Sequence, residues 1–401
     1  SATQNGLGGL FTPDTKPATS LAPERTKELE AGVDLGFFKD VADFSFTWYD
    51  RTSTDVILLI PVAASGGFTV EGANAARIHN AGTEWSLNVR PITHKNFGWD
   101  FGITLGTNRN NVEDLRGAQF VNYGGLGGAI QGGPQAVAEV GQQIGTFRDY
   151  DYVRCGRGVI LTTGGGSPYN VDANCSAAQI QSKALFIDDG TLVNSAGIGS
   201  NGPGYPLLDP NQQVIADPNP KWTGSFRTNV RWHDFSFSGL VDMRHGGAVW
   251  NGTRAALNTV GTSAESALRN QSVIFGSSFL PGPVAGPGAG TAVTLDQNWF
   301  ANYYGWSFAS TIGQPFYEDG GFVKLREVSV GYSLHNRFVT HTLGLSTIDL
   351  RLAGRNLAVW SDYTGADPET NLAGAETGAR GIDFFNNPQT RSFVFTVVLA
   401  R

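Results

Sequence analysis

Histidine is the first residue type to weigh for metal or proton chemistry, and the chain has six. His79, His94, His233, His245, His335 and His341 show no i, i+4 pair or other ligand spacing, so they read as turn and loop residues and no metal site is expected. Gly197, Gly199 and Gly202 match G-x-G-x-x-G, but Pro203 and Pro206 stand where the helix of a dinucleotide site would begin, and that reading fails on context. Ser167 follows three glycines without the flanks of a nucleophile elbow, and no Asp or His can be assigned to it. No enzyme and no cofactor are expected. Cys155 and Cys175, the two cysteines, fit either one loop-closing disulfide of an oxidising compartment or two free thiols.

Asp242, Arg244, Asp349, Arg351 and Arg355 are candidates for hydrogen-bonding a substrate, because they fall on the polar face of alternating segments. Trp250, Trp299, Trp306, Trp360, Tyr303, Tyr304 and Tyr363 lie in long intervening stretches, where aromatic faces can stack on sugar rings.

The elements that must position these residues are strands. Period two dominates, with no sustained helical period. Trp99, Phe101, Ile103 and Leu105 share one face, and Asp100, Gly102, Thr104 and Gly106 share the other. The same division recurs in Leu29 to Phe37, Phe44 to Trp48, Trp85 to Val89, Phe235 to Met243, Ile348 to Leu352 and Phe393 to Leu399. Trp48, Trp85, Trp99, Trp222 and Trp232 all join the apolar face. In residues 321–333 the apolar phase slips between Leu325 and Val328, as a bulge would allow.

Nine strands are expected, near residues 25–37, 42–55, 82–92, 98–109, 220–232, 235–246, 321–333, 346–357 and 391–400. Their connections alternate between short turns and long loops near 58–81, 110–218, 247–319 and 358–390, the asymmetry of an outer-membrane barrel. With an odd count the first and last strands run the same way, which places the C-terminus in the periplasm if the short turns are there. Within 110–218, the pieces at 144–152 and 183–193 could form a hairpin above the membrane or two further membrane strands, and residues 276–292 read as irregular loop.

Composition bounds the alternatives. Only 16% of the 401 residues are charged, against roughly 25% in an average soluble domain. The net charge of −7 gives no footprint for nucleic acid, which is not expected as a partner. No apolar run reaches the roughly 20 residues of a membrane helix. The chain begins at Ser1 without a leader, so any secretory signal is already removed or lies outside this sequence.

Four stretches resemble the SusC/RagA family of TonB-linked outer-membrane proteins. They are Leu21 to Gly32 running on to Asp55, Asn80-Ala-Gly-Thr-Glu84, Asn219-Pro-Lys-Trp-Thr-Gly224, and Gly321 to Tyr332 followed by Arg355-Asn356-Leu357 and Tyr363-Thr-Gly365-Ala-Asp367-Pro368-Glu369. The resemblance implies an all-β fold, an antiparallel transmembrane β-barrel. Residues 1–401 would be the C-terminal portion, about nine strands, of a plugged barrel of about 22. It also implies TonB acting through the missing N-terminal part, a SusD-like lipoprotein partner, surrounding outer-membrane lipid, and import of oligosaccharides or peptides into a bacterial cell.

On this basis the polar-face charges are expected to touch the plug or a substrate, and the signature from Tyr363 to Glu369 is expected to fix loop structure. The chain departs from the family at Leu208 to Asp217, too poor in oxygen ligands for calcium, and at its end, which lacks a terminal aromatic. The alternatives are a passive porin-like outer-membrane channel, and a soluble, secreted β-sandwich or propeller that binds glycans, in which the apolar faces would be core.

Overall fold

The computed structural model describes residues 2–4, 7–9, 15–18, 20–39, 41–125, 133–193, 202–277, 279–304, 313–372, 374 and 379–401. The alternating segments form nine long strands: β1 (Arg25–Phe37), β2 (Ala42–Pro61), β3 (Val70–Thr93), β4 (Phe97–Asp114), β5 (Trp222–Trp232), β6 (Phe235–His245), β7 (Phe322–Leu334), β8 (Thr347–Trp360) and β9 (Ser392–Ala400). They pair antiparallel in sequence order, a meander whose hairpins include a turn of two residues, His233 and Asp234, between β5 and β6. A two-residue strand, Thr15–Lys16, adds in parallel to β3. Among the described residues β1 and β9 end the order with one partner each, so the nine strands form an open arc of barrel wall.

Strands β5 to β9 are 11, 11, 13, 14 and 9 residues long, close to the roughly 9–11 that a tilted strand needs to cross a bilayer. Pairing register carries the alternation across the wall. Phe44, Leu87, Ile103, Phe226 and Val241 are successive partners on one face, and Ser45, Ser86, Thr104, Ser225 and Asp242 on the other. The apolar face is uncovered: Leu29 is 64% exposed, Ile103 39% and Phe395 65%. A sandwich would bury these side chains as its core. Here they make a band for a surrounding apolar medium, bounded by Trp232, Phe235 and Tyr332 near the short turns and by Trp222 and Trp360 at the opposite end.

The buried core lies beyond this band, on the long-loop side. There the loop expected at 58–81 shrinks to residues 62–69, because β2 and β3 continue as a projecting hairpin. In that projection the faces exchange character. The inward positions Leu58, Ala76, Ile78 and Val112 are apolar and buried, covered by Val121 and Ala138. The outward positions carry ion pairs, His79 with Asp50 and Arg77 with Glu113.

The other long loops fold into a cap on two further cores. One gathers Phe147, Tyr152, Leu185, Trp250, Phe275, Trp299 and Phe316. The second gathers Val153, Leu161, Phe186 and Leu207 around Cys155, which is bonded to Cys175 at 2.04 Å.

Two expectations are corrected here. The pieces at 144–152 and 183–193 are not membrane strands, and they form no continuous hairpin: the chain just after the first meets the second in an isolated antiparallel bridge, Arg154 with Leu185. Thr146–Asp149 pairs with Gln135–Glu139 and Gln213–Ala216, and Leu185–Phe186 pairs in parallel with Val284–Ala285. Residues 276–292 are consequently not wholly irregular: burial of Phe279 and Ala285 pins short strands where local sequence offers only turn signals. The phase slip in β7 is a bulge, since Leu240 faces Glu327 and Val241 faces Leu325, leaving Arg326 without a partner across the ladder.

Candidate functional site

The inward polar face of the wall forms a hollow of about 630 Å³, lined by Ser45, Thr47, Ser86, Thr104, Ser225 and Asp242 from β2 to β6 and closed on one side by Arg326 and Glu369. The bulge makes this closure possible. An extra residue in a strand re-aims its side chain, and the guanidinium of Arg326 donates to Asp242 at 2.6 Å and to both oxygens of Glu369 at 2.6 and 2.8 Å. Beside it, the buried Lys324 ammonium donates to Asp367 and Glu369, each at 2.7 Å.

Removing such charges from water is costly unless every one is paired and hydrogen-bonded, and this cluster meets that condition. Burial pushes the Glu369 carboxyl up, but the hydrogen bonds from Arg326 and Lys324 outweigh it and hold the group at about 2.

The signature residues converge on the same anchor. Asp367 accepts the backbone N–H of Glu369 at 2.9 Å, and Pro368 between them is buried. Tyr363 is buried and donates its hydroxyl to Asp383 at 2.6 Å. A Cβ at Gly365 would stand 2.4 Å from the Tyr363 ring, so the turn requires glycine there. On β8, Asn356 adopts a φ of 51° and its amide donates to the Thr390 carbonyl at 3.2 Å. A Cβ at Gly354, the partner of Phe393 on β9, would stand 2.9 Å from the Leu357 side chain. The hydrogen bonds of Lys324 and Arg326 to Asp367 and Glu369, and that of Asn356 to Thr390, fix the last long loop to the wall, while the Tyr363 contacts are internal to the loop.

The polar-face candidates lie toward the lumen but are engaged. Arg351 and Arg355 both donate to Glu327, at 2.8 and 3.0 Å, Asp349 accepts from Ser333 at 2.6 Å, and Arg244 donates to the Pro218 carbonyl at 2.9 Å.

The aromatic candidates fare differently. Trp250 and Trp299 are fully buried and Tyr304 is 3% exposed, so these rings pack the cap and offer no face to a sugar. Trp360 is 58% exposed, but it shares a rung with Met243 and Val323 on the outward face and belongs to the aromatic boundary. Trp306 lies outside the described residues, as do Gly197 and Gly199 and the side chain of Tyr303. Lys324, Arg326 and Glu327 were not candidates from sequence. The phase slip at Leu325 was the signal that could have pointed to them.

One further group stands out in the cap. Asp149 is buried, accepts from the Tyr317 hydroxyl at 2.9 Å and from the Tyr150 N–H at 2.8 Å, and burial pushes its carboxyl up to about 7 against these hydrogen bonds. Among the described residues no group of His, Cys, Asp and Glu is arranged to hold a metal ion.

No family model matches the chain. Along most of its length it is similar to TonB-dependent receptor P3 of Formosa agariphila, 25% identical over 92% of this chain and 33% of the relative, and to TonB-dependent receptor SusC of Bacteroides thetaiotaomicron, 22% identical over 99% and 34%. The chain thus spans about a third of the length of the curated relatives it matches. Among solved structures, the RagAB peptide importer in its open-open state superposes with a TM-score of 0.60 at 16% identity, covering 95% of this chain and 35% of that one. This last likeness is one of fold. The resemblance read from the signature stretches is borne out along nearly the whole sequence, and the fold is that of a section of a TonB-dependent receptor barrel.

Proposed function

From this likeness we propose that the chain supplies part of the wall and surface cap of a TonB-dependent importer in the bacterial outer membrane. Residues 1–401 are then a partial barrel domain, the long loops face outward, the short turns face the periplasm, and the C-terminus of β9 is periplasmic. A SusD-like lipoprotein delivers an oligosaccharide or peptide over the cap, and TonB acts through a part of the protein outside this sequence. The observation that carries the reading is the uncovered apolar band around a wall whose other face is polar and encloses a hollow.

The importer reading separates from a passive channel by energy coupling. Uptake of labelled oligosaccharides and peptides by cells expressing the whole protein should stop when the proton gradient is collapsed or TonB is deleted. Uptake that persists under both treatments is that of a passive pore and rules out the importer.

A further inference from the structure

We propose that a cleft in the cap binds the carboxylate of a small acidic ligand, a uronic oligosaccharide or a peptide with a free C-terminus. The cleft encloses about 490 Å³, within the roughly 300–1,000 Å³ of small-molecule sites. Phe279, Leu280 and Tyr304, which pack on the Trp299 core, give it an apolar floor, and Arg154, Lys183 and Gln314 stand at its rim. Local sequence sets this rim. The five-residue helix Ala177–Gln181 ends at Ser182, and Lys183 takes the left-handed conformation that closes a helix, with a φ of 51°.

The rim has donors without matching acceptors. Arg154 donates through Nε to the buried Asp151 at 2.8 Å, which fixes its guanidinium. Its outer nitrogens reach the Lys183 carbonyl only at 3.4 Å and Gln314 Oε1 only at 3.5 Å, beyond the usual range of an N–H···O bond. The Lys183 ammonium has no acidic partner among the described residues, and the acids that border the cleft are taken, Asp151 by Arg154 and Arg157, Glu265 and Glu318 by Arg254. A ligand that satisfies these donors must bring the acceptors. A planar carboxylate matches a guanidinium fork, and the floor suits the less polar body behind it. The proposal deepens the importer reading by naming a ligand class. It rests on that reading for how the ligand arrives, not for the binding.

The test titrates the whole protein in detergent by calorimetry with trigalacturonate and with N-acetyl-trialanine, each beside a neutral counterpart, maltotriose and the C-terminal amide. At least one acid should bind, and its counterpart at least about tenfold more weakly. Lys183→Asn, which keeps a residue tolerant of the left-handed backbone, should weaken the acid about tenfold. Leu268→Trp narrows the cleft without removing a charge and should weaken it at least as much.

Protease resistance of residues 151–209 certifies the cap in each variant, and where one variant loses it the other decides. Binding of the uronate alone or of the peptide alone supports the site and tells the sources apart. No binding of either acid, equal binding of acid and counterpart, or wild-type affinity in a folded variant overturns the proposal. Uptake that survives collapse of the proton gradient removes the importer, while a positive titration leaves the site standing, so the two failures are read apart.

Discussion

Arg326 joins three parts of the molecule through one guanidinium: its own strand β7, Asp242 of β6, and Glu369 of the last long loop. Removing one partner from a largely buried pair leaves its counterions exposed to the desolvation penalty. Arg326→Ala should destabilise the loop anchor by about 3 kcal/mol, seen as faster amide exchange in residues 363–369 with little change in the wall. Glu369 adds a pH signature. Its folded-state value of about 2 lies below its ordinary 4.5, so its contribution is fully present above about 4.5 and is lost as pH falls toward 2. Glu369→Gln should erase that acid-limb dependence of loop exchange.

Asp149 has the opposite sign. With its carboxyl raised from 3.8 to about 7, the folded chain keeps a proton that the unfolded chain has released, so cap stability should fall as pH rises from about 4 to 7. Thermal melts of Asp149→Asn should show a flatter profile across that window. Gly313 abuts the same carboxylate, where a Cβ would stand 1.8 Å from Oδ2. Gly313→Ala should consequently lower the cap's melting temperature.

At the level of the strand, alternation decides what a substitution costs. Ile103 and Thr104 are neighbours on opposite faces of β4. Ile103→Arg should lower folding stability in lipid vesicles by about 2–4 kcal/mol if it sits near the bilayer midplane, while Thr104→Arg should cost far less, measured by refolding yield across a urea series.

The strands themselves were legible because period two needs only local sequence, and the β7 bulge announced itself in the slip after Leu325. The cap was not legible. Strands of two residues such as Leu185–Phe186 and Val284–Ala285 pair across about a hundred positions, and burial between the two cap cores, Leu185 in one and Phe186 and Ala285 in the other, defines them. Trp250 and Tyr363 misled for a related reason: an aromatic in a long loop looks available until the loop proves to have a core of its own. The signature Tyr363 to Glu369 is visible in the sequence, yet the cationic partners of its Asp367 and Glu369, Lys324 and Arg326, lie hidden in a strand.

Taken whole, the molecule combines a wall whose buried core is confined to the projecting ends of β2 to β4 and a cap with two hydrophobic clusters of its own, and the two should fail separately. The bond between Cys155 and Cys175 closes a loop within one cluster, where a crosslink of this span is worth about 3 kcal/mol. The Cys155→Ala, Cys175→Ala variant should expose residues 151–209 to protease while the strands remain inserted and protected.

The exchange of faces in β3 has a mechanical consequence. Below it a side chain pointing outward must be apolar, and above it the outward side chain must be polar, as Trp85 and Arg77 illustrate on one continuous strand. The barrel therefore cannot ride higher or sink lower without dragging charge into oil or lifting grease into water. Like a hull with a painted waterline, it floats at a fixed draught in the membrane that the proposed function gives it, and the cap is held at one height above that membrane whatever its loops are doing.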